Sequence, residues 1–234
     1  MRDMAYYAPQ PPAHDPLRPS ALLFGASGLV GGELLRLLLR LPDYARVHAV
    51  TRRPLTLEHP RLANRIMAFE KMDGAFKDGA RCRDAYCCIG TTRRSAGSDA
   101  AFRRVDVDVV LACARAALGA GTQRFIVVSS AGADVASGNF YLRVKGEMEE
   151  ALSRMKFDSL DIMQPGLLLG SRRELRPLEL GAQLVMPLVN PFLTGKRASL
   201  RGIPARDVAS AMVVAARHAA TATRPRVPGP KIES

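Results

Sequence analysis

Residues 21–40 read ALLFGASGLVGGELLRLLLR, and this stretch decides the fold. The apolar residues 21–24 predict a short buried strand, and residues 29–41 have the apolar spacing of an amphipathic helix. Between them, Gly25, Gly28 and Gly31 form the pattern G-x-x-G-x-x-G. Glycines between a strand and a helix let the backbone approach a pyrophosphate, which the free N–H groups of the helix N-terminus then bind. The stretch therefore predicts a dinucleotide-binding turn, with a purely structural turn as the alternative.

The rest of the core alternates short apolar strands with longer helical segments. Further strands are predicted at 47–51, 66–69, 85–89, 125–128 and 160–163. Helices are predicted at 99–118, 141–155 and 204–219. Short continuous apolar strands separated by helices are typical of a parallel sheet that is covered on both faces. The sequence therefore predicts an α/β fold, a doubly wound and mostly parallel Rossmann sheet, without a large separate substrate domain.

Prolines mark both ends of the chain. We expect residues 1–19 to be a flexible N-terminal arm, residues 20–220 to be a single NAD(P)-binding domain and residues 221–234 to be a flexible tail. The longest apolar run is far shorter than the ~20 residues that cross a bilayer, and the N-terminal residues lack the apolar segment of a secretory signal. We therefore expect a soluble protein with no membrane span.

The formal net charge is +12, but the arginines are spread in pairs along the chain and tryptophan is absent. No basic run is interleaved with aromatic residues, so we expect a solvated arginine-rich surface and no nucleic-acid partner. The four cysteines form no C-x-x-C pair, which predicts reduced, largely buried thiols and a cytoplasmic location. The histidines are isolated, so no metal site is predicted.

The end of the second predicted strand indicates which dinucleotide is bound. An acidic residue at this place, about twenty residues after the glycines, is typical of sites that prefer NAD. This chain instead has Thr51, Arg52 and Arg53. A guanidinium can bind the 2′-phosphate of NADP through paired, charge-assisted hydrogen bonds. We therefore expect NADP(H) to be preferred over NAD(H), with two surface arginines as the alternative interpretation.

A candidate for proton transfer follows the fifth predicted strand, which ends in Ser129 and Ser130. Tyr141 and Lys145 have the Y-x-x-x-K spacing, which places them on one face of a helix. A lysine ammonium there can favour the ionised phenol and hold the nicotinamide ribose, so that the tyrosine acts as a general acid or base. We expect Ser130 to polarise the substrate oxygen, with Ser129 as the alternative.

Further segments accompany these motifs in the same order: CCIGTTRRSAG (87–97), SSAGAD (129–134), YLRVKGEME (141–149) and KFDSLDIMQPGLLLGSRRELRP (156–177). Together with the glycine loop they resemble the atypical short-chain dehydrogenases/reductases, and specifically the Tat-interacting protein 2 family. The resemblance implies an NADPH-binding Rossmann domain with Tyr141 as the proton acceptor. It also implies cofactor contacts from Ser27, Gly28, Leu29, Val30, Arg52, Arg53, Ile89, Gly90, Tyr141, Lys145, Leu168 and Arg176.

Two classes of function therefore remain open. The first is an NADPH-dependent oxidoreductase that transfers a hydride to or from a small carbonyl or alcohol, with Tyr141 exchanging the proton. The second is an NADPH-binding regulatory module that recruits a protein partner and turns over little substrate. The identity of the substrate, and whether the chain is a monomer or a homodimer, stay open.

Overall fold

The computed structural model describes residues 18–72, 75–76, 81–169 and 202–221. Its centre is a six-stranded parallel sheet with the strand order β3-β2-β1-β4-β5-β6. The strands are β1 (Ser20–Phe24), β2 (Arg46–Thr51), β3 (Leu62–Ile66), β4 (Cys82–Cys87), β5 (Arg124–Val128) and β6 (Ser159–Met163). The helices are α1 (Leu29–Arg40), α2 (Arg93–Ala96), α3 (Asp99–Arg103), α4 (Val110–Gly119), α5 (Phe140–Ser153) and α6 (Ala205–Thr221). Two short strands, β7 (Leu168–Leu169) and β8 (Ile203–Pro204), form a separate parallel pair.

The direction in which successive strands are added to the sheet reverses between β1 and β4, although all the strands are parallel. From β1 the chain runs outward to β3, and it then crosses back to place β4 on the other side of β1. Ligands of open parallel sheets bind at such a reversal, in the crevice beyond the carboxyl ends of the strands. The predicted doubly wound Rossmann fold is confirmed, and the crevice at this reversal lies where the glycine loop follows β1.

Helices cover the sheet on both faces. On one face, α1 and α6 bury an apolar cluster that includes Leu34, Leu38 and Met212. On the other face, α3, α4 and α5 pack around Phe102 and Met148. The central strands β1 and β5 are therefore buried on both sides, which explains why they read as short continuous apolar runs in the sequence.

Two predicted strand positions are wrong. The third strand is Leu62–Ile66 instead of 66–69, because it is a half-exposed edge strand and has no continuous apolar run. The fourth strand is Cys82–Cys87 instead of 85–89, because the buried Asp84 interrupts its apolar pattern. Asp84 is tolerated there since it pairs with the Arg124 guanidinium and accepts a hydrogen bond from the Tyr44 hydroxyl at 2.6 Å.

The long helix predicted at 99–118 is present, but it contains a π-helical segment, Arg104–Val109, between α3 and α4. A π segment changes which side of the helix the following side chains occupy, and such segments are frequent at functional sites. Here it carries Asp106, whose side chain is fully buried.

Several predictions fall outside the described residues. These are most of the expected N-terminal arm (1–17 of 1–19), most of the expected C-terminal tail (222–234 of 221–234) and the expected cofactor contact Arg176. Within the part of the chain that the structure describes, no helix is long and apolar enough to cross a membrane.

Candidate dinucleotide and active site

The glycine loop is closely packed against α1 and against the end of β4. Gly25 has a φ of +82°, and a Cβ built on it would lie 2.8 Å from the carbonyl oxygen of Cys88. A Cβ on Gly31 would lie 2.1 Å from the Gly25 carbonyl oxygen, which also accepts a hydrogen bond from the Gly28 N–H at 2.9 Å. Side chains at Gly25 and Gly31 are therefore excluded, and the loop presents bare backbone at the crevice.

The N-terminus of α1 has no side-chain cap. Its N-cap residue is Gly28, which has no side chain to accept hydrogen bonds from the first amides of the helix. Ser27 is exposed, and Val30 directs its side chain into the core, so Val30 can offer only backbone to a ligand. An uncapped helix N-terminus behind a glycine loop fits the pyrophosphate of a dinucleotide.

The thiol beside this loop serves packing. The Cys88 Sγ lies 3.8 Å from the Met212 sulfur, and burial raises the pKa of the Cys88 thiol well above its usual value. A thiol that stays protonated is a poor nucleophile. The Cys88 side chain therefore packs against Met212 of α6, while its backbone lies against Gly25.

Arg52 and Arg53 are exposed just beyond the end of β2. Asn64 holds their turn, because its side-chain amide donates to the Thr51 hydroxyl at 2.8 Å and accepts from a backbone N–H at 2.9 Å. The Thr51 hydroxyl in turn donates to the Arg53 carbonyl oxygen at 2.7 Å. The Arg52 guanidinium lies 5.2 Å from the centre of the Phe69 ring. Asn64 and Phe69 were missed in the sequence because the third strand was predicted at 66–69, whereas Asn64 lies within β3 and Phe69 follows it in a short helical turn.

Tyr141 and Lys145 lie on α5, whose N-terminus is capped by Asn139 through a bond from the Tyr141 N–H at 2.9 Å. Lys145 is buried, and its ammonium lies 2.6 Å from Asp106 Oδ1. The other carboxylate oxygen of Asp106 accepts a hydrogen bond from the Thr91 N–H at 2.9 Å. Asp106 therefore ties α5 to the loop that follows β4.

Gly90 connects this group to the crevice. A Cβ on Gly90 would lie 3.6 Å from the Lys145 ammonium and 3.3 Å from Asp106 Oδ1. Gly90 and the buried Ile89 follow β4 directly, next to the Cys88 backbone that supports Gly25. The structure thus brings the glycine loop, Ile89, Gly90 and Lys145 to one end of the sheet. Asp106 was missed in the sequence, where its signal is an acid inside the apolar run VDVDVV.

The two candidate serines differ in their surroundings. Ser129 is buried, its N–H donates to the Met163 carbonyl oxygen at 2.7 Å, and its hydroxyl has no hydrogen-bond partner among the described residues. Ser130 is half-buried, and its carbonyl oxygen accepts a bond from the Ala133 N–H at 3.1 Å. The choice between them stays a prediction.

Leu168 lies farther along the chain, in β7, where it pairs with Ile203. It packs on the same apolar cluster as Leu29 and Cys88. Its predicted contact with a cofactor therefore depends on the two-stranded sheet, which sequence patterns did not reveal.

Comparisons with known proteins identify relatives of this chain. The "Protein HTATIP2" of Rattus norvegicus is 42% identical over 164 residues, which cover 68% of this chain and 67% of that protein. The "Protein FMP52, mitochondrial" of Debaryomyces hansenii is 33% identical over 161 residues, covering 66% of this chain and 69% of that protein. Proteins of the same name from Lodderomyces elongisporus and Candida albicans are also similar. The cytoplasmic location predicted from the cysteines is therefore wrong, since these fungal relatives are named as mitochondrial.

Solved structures share the fold at low identity. The Bordetella bronchiseptica enzyme WbmH in complex with NAD+ matches with a TM-score of 0.63 at 14% identity, covering 86% of this chain and 72% of that one. MoeE5 in complex with UDP-glucose and NAD matches with a TM-score of 0.61 at 18% identity, covering 88% and 73%. Residues 21–138 match the family described as "NAD dependent epimerase/dehydratase family". With its Rossmann sheet, its glycine loop and these relatives, the chain belongs to the NAD-dependent epimerase/dehydratase family of oxidoreductase-like proteins.

Proposed function

We propose that this chain is an NADPH-dependent oxidoreductase that interconverts a small carbonyl compound and its alcohol, with Tyr141 as the acid/base. The observation that carries the proposal is the position of the Lys145 ammonium beside Gly90. The ammonium lies 3.6 Å from the place that a Cβ on Gly90 would occupy. Gly90 lies at the carboxyl end of β4, beside the glycine loop. A dinucleotide in the crevice would therefore pass along bare backbone toward the helix that carries Tyr141.

The residues that are present fit such a cofactor. The loop from Gly25 to Gly31 and the uncapped start of α1 would hold the pyrophosphate through backbone N–H groups. When bound, NADPH supplies the hydride. Ile89 and Gly90 would line the path of the cofactor toward the nicotinamide site. Gly90 keeps this path narrow and free of side chains, since a Cβ there would approach Lys145 and Asp106.

The preference for NADPH rests on Arg52 and Arg53. Both are exposed at the end of β2, and Asn64 and Thr51 fix the turn that carries them. The ring of Phe69 supports the Arg52 guanidinium, which keeps a planar cation ready to bind a phosphate or to stack on a base. No acidic side chain stands at this strand end to select a free ribose hydroxyl.

The proton is assigned to Tyr141. Its phenol donates a proton to the carbonyl oxygen during reduction and accepts it back during oxidation. Lys145 orients the ribose and the phenol from the same helix face. The Ser130 hydroxyl polarises the substrate oxygen, and Ser129, with its unbonded hydroxyl among the described residues, is the alternative.

Cofactor binding tests the first half of the proposal. Calorimetric titration should give a dissociation constant for NADPH roughly tenfold or more below that for NADH, since a charge-assisted phosphate contact is worth about 1.5–3 kcal/mol. The double variant Arg52→Gln/Arg53→Gln should lose this preference. Arg36→Gln is the control at equal net charge for each single variant, Arg52→Gln and Arg53→Gln, because Arg36 is an exposed arginine on α1 that pairs with Glu33. Equal affinity of the wild type for NADPH and NADH would contradict the assignment.

The ion pair between Lys145 and Asp106 favours a second candidate function. A lysine already neutralised by a buried carboxylate has less charge to offer to the phenol, which suits a protein that binds NADPH and turns over little substrate. A carbonyl screen with NADPH separates the two candidates. The enzyme predicts turnover that Tyr141→Phe abolishes with NADPH affinity retained, whereas equal rates in both proteins favour the regulatory module.

We also propose a mitochondrial location, supported by the fungal relatives named mitochondrial. Fractionation of cells that express the full chain with a C-terminal tag tests this. Recovery of the protein with the cytosolic fraction would contradict it.

A further inference from the structure

Two guanidinium groups lie against one aromatic ring at the start of α5. The central carbon of Arg93 is 4.9 Å from the centre of the Phe140 ring, and that of Arg143 is 5.7 Å from the same centre. Arg93 begins α2, just after the loop that follows β4, and Arg143 lies on the first turns of α5. Residues from two different elements thus bring two cations together at Phe140.

The same ring is connected to Tyr141 through Phe102. The Phe102 ring is fully buried, with its centre 6.0 Å from that of Phe140 and 5.5 Å from that of Tyr141. A buried ring between them fixes how Phe140 and Tyr141 stand relative to one another. The two guanidinium groups are therefore held next to the proposed acid/base residue by a continuous aromatic contact.

Both arginines keep donors for a ligand. The Nε and Nη2 of Arg93 approach one oxygen of Asp99, at 2.8 and 2.6 Å, and Arg143 donates from Nη1 to the Ser137 carbonyl oxygen at 3.0 Å. Each guanidinium has five N–H donors. These contacts orient each group and leave most of its donors available to bind a ligand. About half of the Arg93 side chain is exposed to solvent.

The local charge balance is positive. Two cations, Arg93 and Arg143, lie against the Phe140 ring, and among the described ion pairs only Arg93 has a carboxylate partner, Asp99. The N-terminus of α5 adds the positive end of a helix dipole at the same place. Planar guanidinium groups in this field match the oxygens of a carboxylate or a phosphate.

We propose that Arg93 and Arg143 form a subsite for an oxyanion group, a carboxylate or a phosphate, at the end of the substrate remote from its carbonyl. The substrate class is then an anionic carbonyl compound whose reactive group reaches Tyr141 while its charge rests beside Phe140. The place of the carbonyl rests on the proposed oxidoreductase function, but binding of the anion is measurable without turnover.

The test compares probes that differ in charge. NADPH oxidation is followed with 4-formylbenzoate, 4-formylphenyl phosphate and the neutral methyl 4-formylbenzoate. For the wild type, kcat/KM for at least one anionic aldehyde should exceed that for the ester roughly tenfold or more, and the better anion identifies the group. In Arg93→Gln/Arg143→Gln this ratio should fall to within about twofold, with the rate for the ester maintained.

Arg154→Gln is the matched control. Arg154 is an exposed arginine immediately after α5, beside Glu150 and at the opposite end of the helix from Phe140. It removes one positive charge at a distance of roughly 20 Å from Phe140, so the single variants Arg93→Gln and Arg143→Gln are each compared with it at equal net charge. A wild type that does not prefer the anions, or an equal loss in Arg154→Gln, overturns the subsite.

Calorimetric titration with terephthalate tests binding of the anion without turnover, so that a failure of the subsite can be distinguished from a failure of the proposed function. If no aldehyde is reduced, terephthalate binding to the NADP-loaded wild type that is lost in the double variant still supports the subsite, and no binding overturns it. If NADPH itself does not bind, the proposed function fails, and the same titration of the chain alone decides the subsite.

Discussion

The Asp106→Asn substitution is expected to lower the free energy of unfolding by about 3–5 kcal/mol. This is the cost of removing one charge of a buried ion pair while the other charge stays buried. Asp106 is fully buried, and Lys145, 2.6 Å away, is 4% exposed, so the ammonium would remain in the core without its counter-charge. Asparagine keeps an oxygen that can accept the hydrogen bond from the Thr91 N–H. The predicted loss therefore comes from the charge of Asp106 and not from the loop contact.

A double-mutant cycle isolates this charge. Lys145→Met leaves the Asp106 carboxylate buried and should cost a similar amount, whereas Asp106→Asn/Lys145→Met removes both charges and should cost much less than the sum. We expect a coupling free energy of at least about 2 kcal/mol from urea unfolding followed by circular dichroism. As a control, Arg154→Gln breaks the exposed pair with Glu150 and should change stability by less than about 0.5 kcal/mol. Additive costs of the two single variants would refute the reasoning.

Three further predictions concern the loop, a surface ion pair and a thiol. Gly31→Ala should abolish NADPH binding, measured by calorimetry, because its Cβ would lie 2.1 Å from the Gly25 carbonyl oxygen. Gly32→Ala should bind NADPH normally, because its Cβ would lie 3.6 Å from the nearest backbone oxygen. Urea unfolding should show that Gly32→Ala is stabilised by up to about 1 kcal/mol. The Arg217 guanidinium holds the pKa of Asp43 below its ordinary 3.8, so this pair stabilises the fold above that pH and the effect is lost on further acidification. The stability difference of about 0.5–1 kcal/mol between wild type and Arg217→Gln should thus shrink as the pH falls below 3.8, and a constant difference would exclude the pair as its cause. Burial raises the pKa of Cys82 to about 12, so mass spectrometry should find it alkylated by iodoacetamide only after unfolding, and rapid labelling of the native protein would contradict its burial.

The glycine loop and the central strands could be predicted from the sequence because their signals are local. The residues around Gly25 and Gly31 show a strand, a tight turn and an amphipathic helix in one continuous stretch. The edge strand β3 could not be placed, because its residues are only partly buried and its apolar pattern is weak. The start of β4 was missed because Asp84 reads as a surface residue until Arg124, from another strand, is known to pair with it.

The candidate site divides in the same way. Tyr141 and Lys145 were found from their spacing, since residues four apart share a helix face whatever the rest of the chain does. Asp106 was not found, because its partner lies 39 positions later and the two meet only through the packing of the π segment against α5.

Short-range patterning was thus sufficient for the parallel sheet and the position of the glycine loop, because each depends on backbone requirements met within a few neighbouring residues. The family was indicated by several motifs in order along residues 25–177. Three-dimensional packing was needed to reveal the Lys145–Asp106 pair, the support of Arg52 by Phe69 and the two guanidinium groups at Phe140. Those contacts join residues from different elements, and the charge or ring of each partner acquires its role only when folding removes the water between them.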